Sequence, residues 1–175
     1  IHVWPAVRER VLGYLQTGTL PWKRNQAGVE WPLPPAEIEV AENQESSTAP
    51  TYVTFPLFEE LVRIALYELR HDDAVTIYDK FAKQTAVSGD FDDEVAKTVS
   101  ASHPEFSLRI WRNTIDRSLG KVNTSGYRQA STYLQLMHQV YKDAGRLDEW
   151  ETLLRQLRFD HKHKSNFIAE LRKLE

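Results

Sequence analysis

The sequence predicts an all-α fold, and three observations carry that expectation. From residue 55 onward apolar residues recur at spacings of three and four, with short turn signals between the runs. No stretch reads as a credible strand with turn signals on both sides. Seven of the eight prolines lie in the first 56 residues, so the later chain is almost free of helix breakers.

The first helix is read in Trp4-Pro-Ala-Val-Arg-Glu-Arg-Val-Leu-Gly-Tyr-Leu15, where Val7, Val11 and Leu15 share a face. Pro5 suits a helix start and Gly18 a stop. Residues 19–56 follow as an extended Pro-rich arm, because each proline pushes its predecessor out of the α region. Residues 36–60 carry six acids (Glu37, Glu39, Glu42, Glu45, Glu59, Glu60) and no Lys or Arg. The run from Glu42 to Pro50 reads as a solvated loop.

Residues 57–175 are expected to form a helical-repeat-like domain, the whole chain making one structural domain. Phe58, Leu61, Ala65 and Leu69 form its first stripe, stopped by Arg70-His-Asp-Asp73. Ala74, Ile77, Tyr78, Phe81 and Ala82 form the next, with Asp72 or Asp73 as the expected N-cap. A short helix is expected near 91–101. His103-Pro-Glu opens another, striped by Leu108, Trp111, Ile115 and Leu119, and Gly120 to Gly126 reads as a loop. Tyr127, Ala130, Leu134, Met137, Tyr141 and Ala144 follow, ended by Gly145. Asp148-x-x-Glu151 resembles a capping box. Beyond it Leu154, Leu157, His161, Lys164, Ile168 and Leu171 fit one long helix or two abutting ones.

Short helices joined by short turns suggest antiparallel hairpins, stacked as an α-solenoid or gathered as an irregular bundle. Ile77-Tyr78, Ile110-Trp111 and Leu153-Leu154 recur at intervals of 33 and 43 residues. The first interval is close to a tetratricopeptide period, although that repeat's diagnostic residues are mostly missing.

Composition limits the function. The 175 residues include no cysteine, which excludes a disulfide scaffold, a thiolate zinc finger and a cysteine nucleophile within this chain. A net charge of −3 gives no global argument for nucleic acid or an anionic membrane. No apolar run reaches membrane-spanning length and no signal peptide is visible, so a cytoplasmic location without membrane association is expected. The chain opens on Ile1 and is read as a piece of something longer.

Four stretches carry a family likeness. The first is Trp4-Pro-x-Val-Arg-Glu-x-x-Leu-x-Tyr-Leu-x-Thr-Gly18, followed by Trp31-Pro-Leu-Pro. The second is Phe58-x-x-Leu-x-x-Ile-Ala-Leu-x-Glu68, leading to Asp73-Ala-Val-x-x-Tyr78. The third is Tyr127-x-x-Ala-x-x-Tyr-Leu134. The fourth runs from Gly145-Arg-x-x-Glu-Trp through Leu154, Arg158, His161 and Lys164 to Phe167 and Leu171. Together they resemble the C-terminal α-helical region of prokaryotic SWIM-type zinc-finger proteins. The finger's C-x-C and C-x-H ligands are absent, so no metal ligand carries over. The resemblance implies the helical domain beside the finger.

The remaining motifs favour plain readings. His161-Lys-His-Lys164 is a poor metal site, since residues two apart on a helix point about 200° away from each other. No phosphate loop, dinucleotide fingerprint or nucleophile elbow is present, and Asp92-Asp93 are neighbours in a turn. No catalytic, cofactor-binding or metal-binding residue is therefore assigned. Pro32-x-x-Pro35 with Trp4, Trp22 and Trp31 reads as a clamp along its own domain in preference to a polyproline ligand. The aromatic series Tyr78, Phe81, Trp111, Tyr127, Tyr133, Tyr141 and Trp150 reads as core. Two locally basic segments remain, 107–128 and 152–175. A non-enzymatic protein-interaction or scaffolding role, with a protein partner, is the expectation. The alternative is an auxiliary nucleic-acid surface built from Arg109 and Arg112, or from Arg155, Arg158, Lys162 and Lys164.

Overall fold

A computed structural model describes residues 4–19, 55–82, 88–121 and 123–174. The Pro-rich arm, with Trp22, Trp31 and the Pro32–Pro35 segment, lies outside the described residues almost entirely. Every element is helical: α1 (Trp4–Thr17), α2 (Phe58–Tyr67), α3 (His71–Phe81), α4 (Gly89–Val99), α5 (Pro104–Gly120), α6 (Thr124–Asp143), α7 (Leu147–Asp160) and α8 (Ser165–Leu171), with a closing 3-10 turn at Arg172–Leu174. There is no strand among the described residues. The backbone divides into two compact units, Ile1–Phe81 and Ala82–Glu175.

In the first unit α2 packs on both α1 and α3. Its buried stripe is Phe58, Leu61, Val62, Ala65 and Leu66, met by Val7 and Leu15 from α1 and by Ala74 and Tyr78 from α3. Segment 55–57 returns to the end of α1, where the Leu57 amide donates to the Leu15 carbonyl at 2.8 Å. Phe55 there meets Tyr14 edge to face, ring centroids 5.5 Å apart. Gly18 is left-handed at φ +71°, and a Cβ on it would sit 2.6 Å from the Phe55 ring. Asp72 and Asp73 are not the N-cap of α3. The helix starts two or three residues earlier than those caps would place it, at His71, so both acids fall in its first turn, where they suit the dipole.

The second unit is built around α5 and α6, which pack on each other, with α4 against α5 and both α7 and α8 against α6. The predicted stripe Leu108, Trp111, Ile115 and Leu119 of α5 is buried throughout, as are Tyr127, Ala130, Leu134 and Met137 of α6. Phe91, Val95 and Val99 of α4, Trp150, Leu154 and Leu157 of α7, and Phe167 and Leu171 of α8 complete this core. Tyr133 and Tyr141 are only half-buried. Ser88 caps α4 by accepting from the Phe91 amide, and Asn123 caps α6 by accepting from the Gly126 amide at 2.7 Å.

That second cap corrects the expected 120–126 loop. The helix α5 continues to Gly120 and α6 begins at Thr124, so Gly126 lies inside a helix. It has to be glycine there, because a Cβ would stand 2.4 Å from the Ser118 carbonyl oxygen of α5. Ser118 itself is buried, donating to the Thr114 carbonyl at 2.8 Å and touching Gln129 Oε1 at 3.0 Å. The capping box at Asp148 does not form either: α7 starts at Leu147, with Arg146 in the cap position and no side-chain cap bond. Arg146 instead grips Glu149 with two bonds of 2.6 Å, reaches Glu105, and lies over the Tyr141 ring. The C-terminal apolar series is two helices, broken at residues 161–164.

Candidate interaction surfaces

The turn between α2 and α3 departs most from what the sequence leads one to expect. The stripe Phe58, Leu61, Ala65 predicts Leu69 in the core, yet α2 ends at Tyr67 and Leu69 is 79% exposed. Leu69 has a left-handed backbone, φ +58°. Its amide donates to the Leu66 carbonyl at 3.0 Å and the Arg70 amide to the Ala65 carbonyl at 2.8 Å. This is the Schellman closure of a helix, in which the left-handed residue is usually glycine. The end of α6 provides an internal comparison. Gly145, φ +68°, donates to Lys142 and Arg146 to Tyr141 in the same pattern, this time with glycine. A side chain in that conformation costs about 1–2 kcal/mol. At α2 the cost is borne by a leucine that is exposed, beside Tyr67, which is 90% exposed.

Glu68 holds this turn. Its carboxylate, 14% exposed, accepts from Arg8 Nε at 2.6 Å and Nη2 at 2.8 Å, from the Trp4 indole at 2.9 Å and from Arg70 Nη1 at 2.9 Å. Arg70 goes on to Asp73, through Nε at 2.6 Å. Burial raises the Glu68 carboxyl's pKa, but the bonds from Arg8 and Trp4 outweigh it and hold the group below its ordinary value. The turn is therefore tied to α1 by a bidentate ion pair while its two large apolar side chains face water. The residue order signals part of this, since no glycine occupies the stop before Arg70-His-Asp-Asp73.

The six basic residues singled out in the sequence sit on α5, on α7 and in the turn that follows α7. In α5, Arg109 lies over the Phe106 ring at 5.1 Å, and Arg112 pairs with Asp116 at 3.6 Å. Lys164 is drawn inward: its ammonium donates to the Leu119 carbonyl at 2.9 Å, satisfying an end-group of α5. Arg155 and Lys162 are exposed, and Arg158 is half-buried. Arg155 Nη2 donates to Thr152 Oγ1 at 3.1 Å, and Lys162 sits over Phe159, itself 72% exposed. His161 packs edge-on against Phe167 with centroids 5.6 Å apart, while His163 faces water. Burial lowers the His161 pKa and the Lys164 ammonium lowers it further. No group of three or more His, Asp or Glu residues placed to hold a metal ion occurs among the described residues.

Two grooves open on the second unit. One, of about 410 Å³, is lined by Pro104, Trp111, Leu136, Val140 and Ala144 among others. Trp111 is 2% exposed, and its indole N–H has no hydrogen-bond partner among the described residues. The other, of about 470 Å³, runs along α7 past Leu147, Trp150, Leu154 and Arg155, with His138 and Leu174 on its rim. His138 stacks on Trp150 at 5.1 Å. Among the described residues no helix is long and apolar enough to cross a membrane. No family model matches the chain, and no curated protein and no solved structure matches it either.

Proposed function

We propose that this chain is a non-enzymatic protein-interaction domain, the helical neighbour of a SWIM-type zinc finger, with its helices arranged as tetratricopeptide-like hairpins. The observation that carries the reading is the α2–α3 turn. Tyr67 and Leu69 are large, exposed and apolar, flank Glu68, whose carboxylate ties the turn to Arg8, and are presented at a cost in backbone strain at Leu69. Strain kept at an exposed position, where glycine would relieve it, points to selection for the side chain. Exposed apolar groups on a well-packed unit suit a protein partner. The charge pattern supports the nucleic-acid alternative less well, because Arg112 and Lys164 are engaged within the fold.

The test is a titration of the isotopically labelled chain with the zinc-loaded finger segment of a SWIM-type protein, followed by amide shifts. The expected result is saturable binding with shifts centred on residues 67–70. Affinity should change by less than about threefold between roughly 50 and 200 mM salt, since the contact is apolar. No binding, or shifts away from the turn, contradicts the reading. A parallel anisotropy titration with single- and double-stranded DNA and RNA addresses the alternative. Binding that falls by about a hundredfold or more over that salt range, and is lost when Arg155 and Lys162 are changed to Glu, would replace the protein partner with nucleic acid.

A further inference from the structure

Helix α7 carries a second surface, unrelated to the turn, whose charges are arranged head against tail. At about 100° per residue, Leu147, Arg158, Glu151, Arg155, Asp148 and Phe159 follow one another around a strip about 120° wide. All are exposed except Arg158, which is half-buried and has contacts within its own unit. The buried side of α7, with Trp150, Leu154 and Leu157, faces the core. The strip has internal symmetry about position 153. Two residues to either side stand Glu151 and Arg155, five to either side Asp148 and Arg158, six to either side Leu147 and Phe159.

Rotation by half a turn about an axis through that midpoint lays the strip on a copy of itself, antiparallel. Along the i,i+4 ridge 147–151–155–159, Glu151 then meets Arg155 of the copy and Leu147 meets Phe159 of the copy. Glu151 and Arg155 are four apart in the order that usually favours an intrahelical pair, yet they do not pair with each other. Among the described residues neither they nor Asp148 has an ion-pair partner. Leu147 is 45% and Phe159 72% exposed, and they are the only large apolar residues exposed among the described residues of the second unit. The groove along α7 begins beside Leu147, so the facing Phe159 ring meets a ready hollow lined by Leu147, Trp150 and Leu154.

We infer that the chain self-associates through α7 as an antiparallel, two-fold symmetric pair, with Glu151 of each copy on Arg155 of the other and Phe159 seated beside Leu147. A surface that is its own complement is what an isologous dimer requires. The paired strips span about 18 Å, so the contact is smaller than the roughly 1,200 Å² of a stable interface and the dimer is weak.

Sedimentation velocity on the full chain, from about 10 to 500 μM in roughly 50 mM salt, tests this. The expected result is a concentration-dependent shift from monomer to dimer. Arg155→Glu and Glu151→Arg each place like charges at both symmetric contacts and should each give monomer. The double swap E151R/R155E restores every pair and should restore the dimer, as should mixing the two single variants. Circular dichroism of each variant confirms folding. A wild-type monomer throughout overturns the inference. So does a dimer indifferent to the single reversals, or one that the double swap fails to rescue. The proposed finger-binding turn lies on other residues, so neither result bears on it.

Discussion

Replacing Gly126 with alanine lowers the stability of the second unit by about 2 kcal/mol, and with valine by about 3–4 kcal/mol. The direction follows from a contest between two effects. Alanine is the better helix former by about 1 kcal/mol, so on propensity alone the substitution would stabilise α6. Against that stands a Cβ 2.4 Å from the Ser118 carbonyl oxygen. The obstacle is helix backbone at the buried Ser118, which cannot rotate aside as a flexible side chain would. Relief requires α5 and α6 to separate where Ser118, Ala130 and Leu119 are packed. Gly120→Ala is the control, because a Cβ there meets nothing within 4 Å. It should be neutral or mildly stabilising in the same denaturation experiment. Equal behaviour of the two alanine variants would refute the close approach of these helices.

The second large effect falls on the first unit. Glu68→Gln keeps the shape of the side chain but removes the charge that Arg8 and Arg70 surround. A fully exposed ion pair is worth less than about 1 kcal/mol, and breaking a fully buried one costs about 3–5 kcal/mol. Glu68 is mostly buried and its pair with Arg8 is bidentate, so a loss of about 2 kcal/mol is expected. The acid limb carries a second signature. Folding lowers the pKa of Glu68, so the unfolded chain binds its proton more readily. The stabilisation is complete above the unfolded carboxyl's value of about 4.3 and is lost as pH falls through the lower folded value. The native chain should therefore lose stability below about pH 4.5 more steeply than the Glu68→Gln variant. Parallel acid limbs would show that Glu68 is not held as an ion.

Helix identity was legible wherever a stripe and its punctuation agreed. Pro104 starts α5 and Gly145 ends α6, and the apolar stripes Leu108–Leu119 and Tyr127–Met137 between those markers are buried. Legibility failed where phase continued through a break. Ala65 to Leu69 keeps the i,i+4 step, but the backbone turns left-handed at Leu69 without the glycine that marks such turns. Leu157, His161 and Ile168 likewise keep helical spacing across the interruption at 161–164, which contains neither Gly nor Pro. Long-range polar contacts have no local signature at all. Glu68 meets Arg8 sixty residues away, and Lys164 reaches the Leu119 carbonyl forty-five residues away. A count of basic residues therefore placed Lys164 among the nucleic-acid candidates, although its ammonium closes the C-terminal end of α5. The α7 strip was visible only in part, because its bases were read as a basic segment and its acids, Asp148 and Glu151, as a capping box.

The turn at Leu69 can be tested by asking one substitution to do two opposite things. Leu69→Gly removes the left-handed strain and gives up almost no burial. After the extra freedom glycine gains in the unfolded chain, the first unit should be more stable by about 0.5–1 kcal/mol. The same change deletes one of the two exposed apolar side chains and should weaken binding of the zinc-loaded finger about tenfold or more. Denaturation and titration on the one variant read both quantities. Higher stability with lost binding is the result expected of a turn kept strained for its partner. A variant that is no more stable, or that binds as tightly as the native chain, would contradict that role.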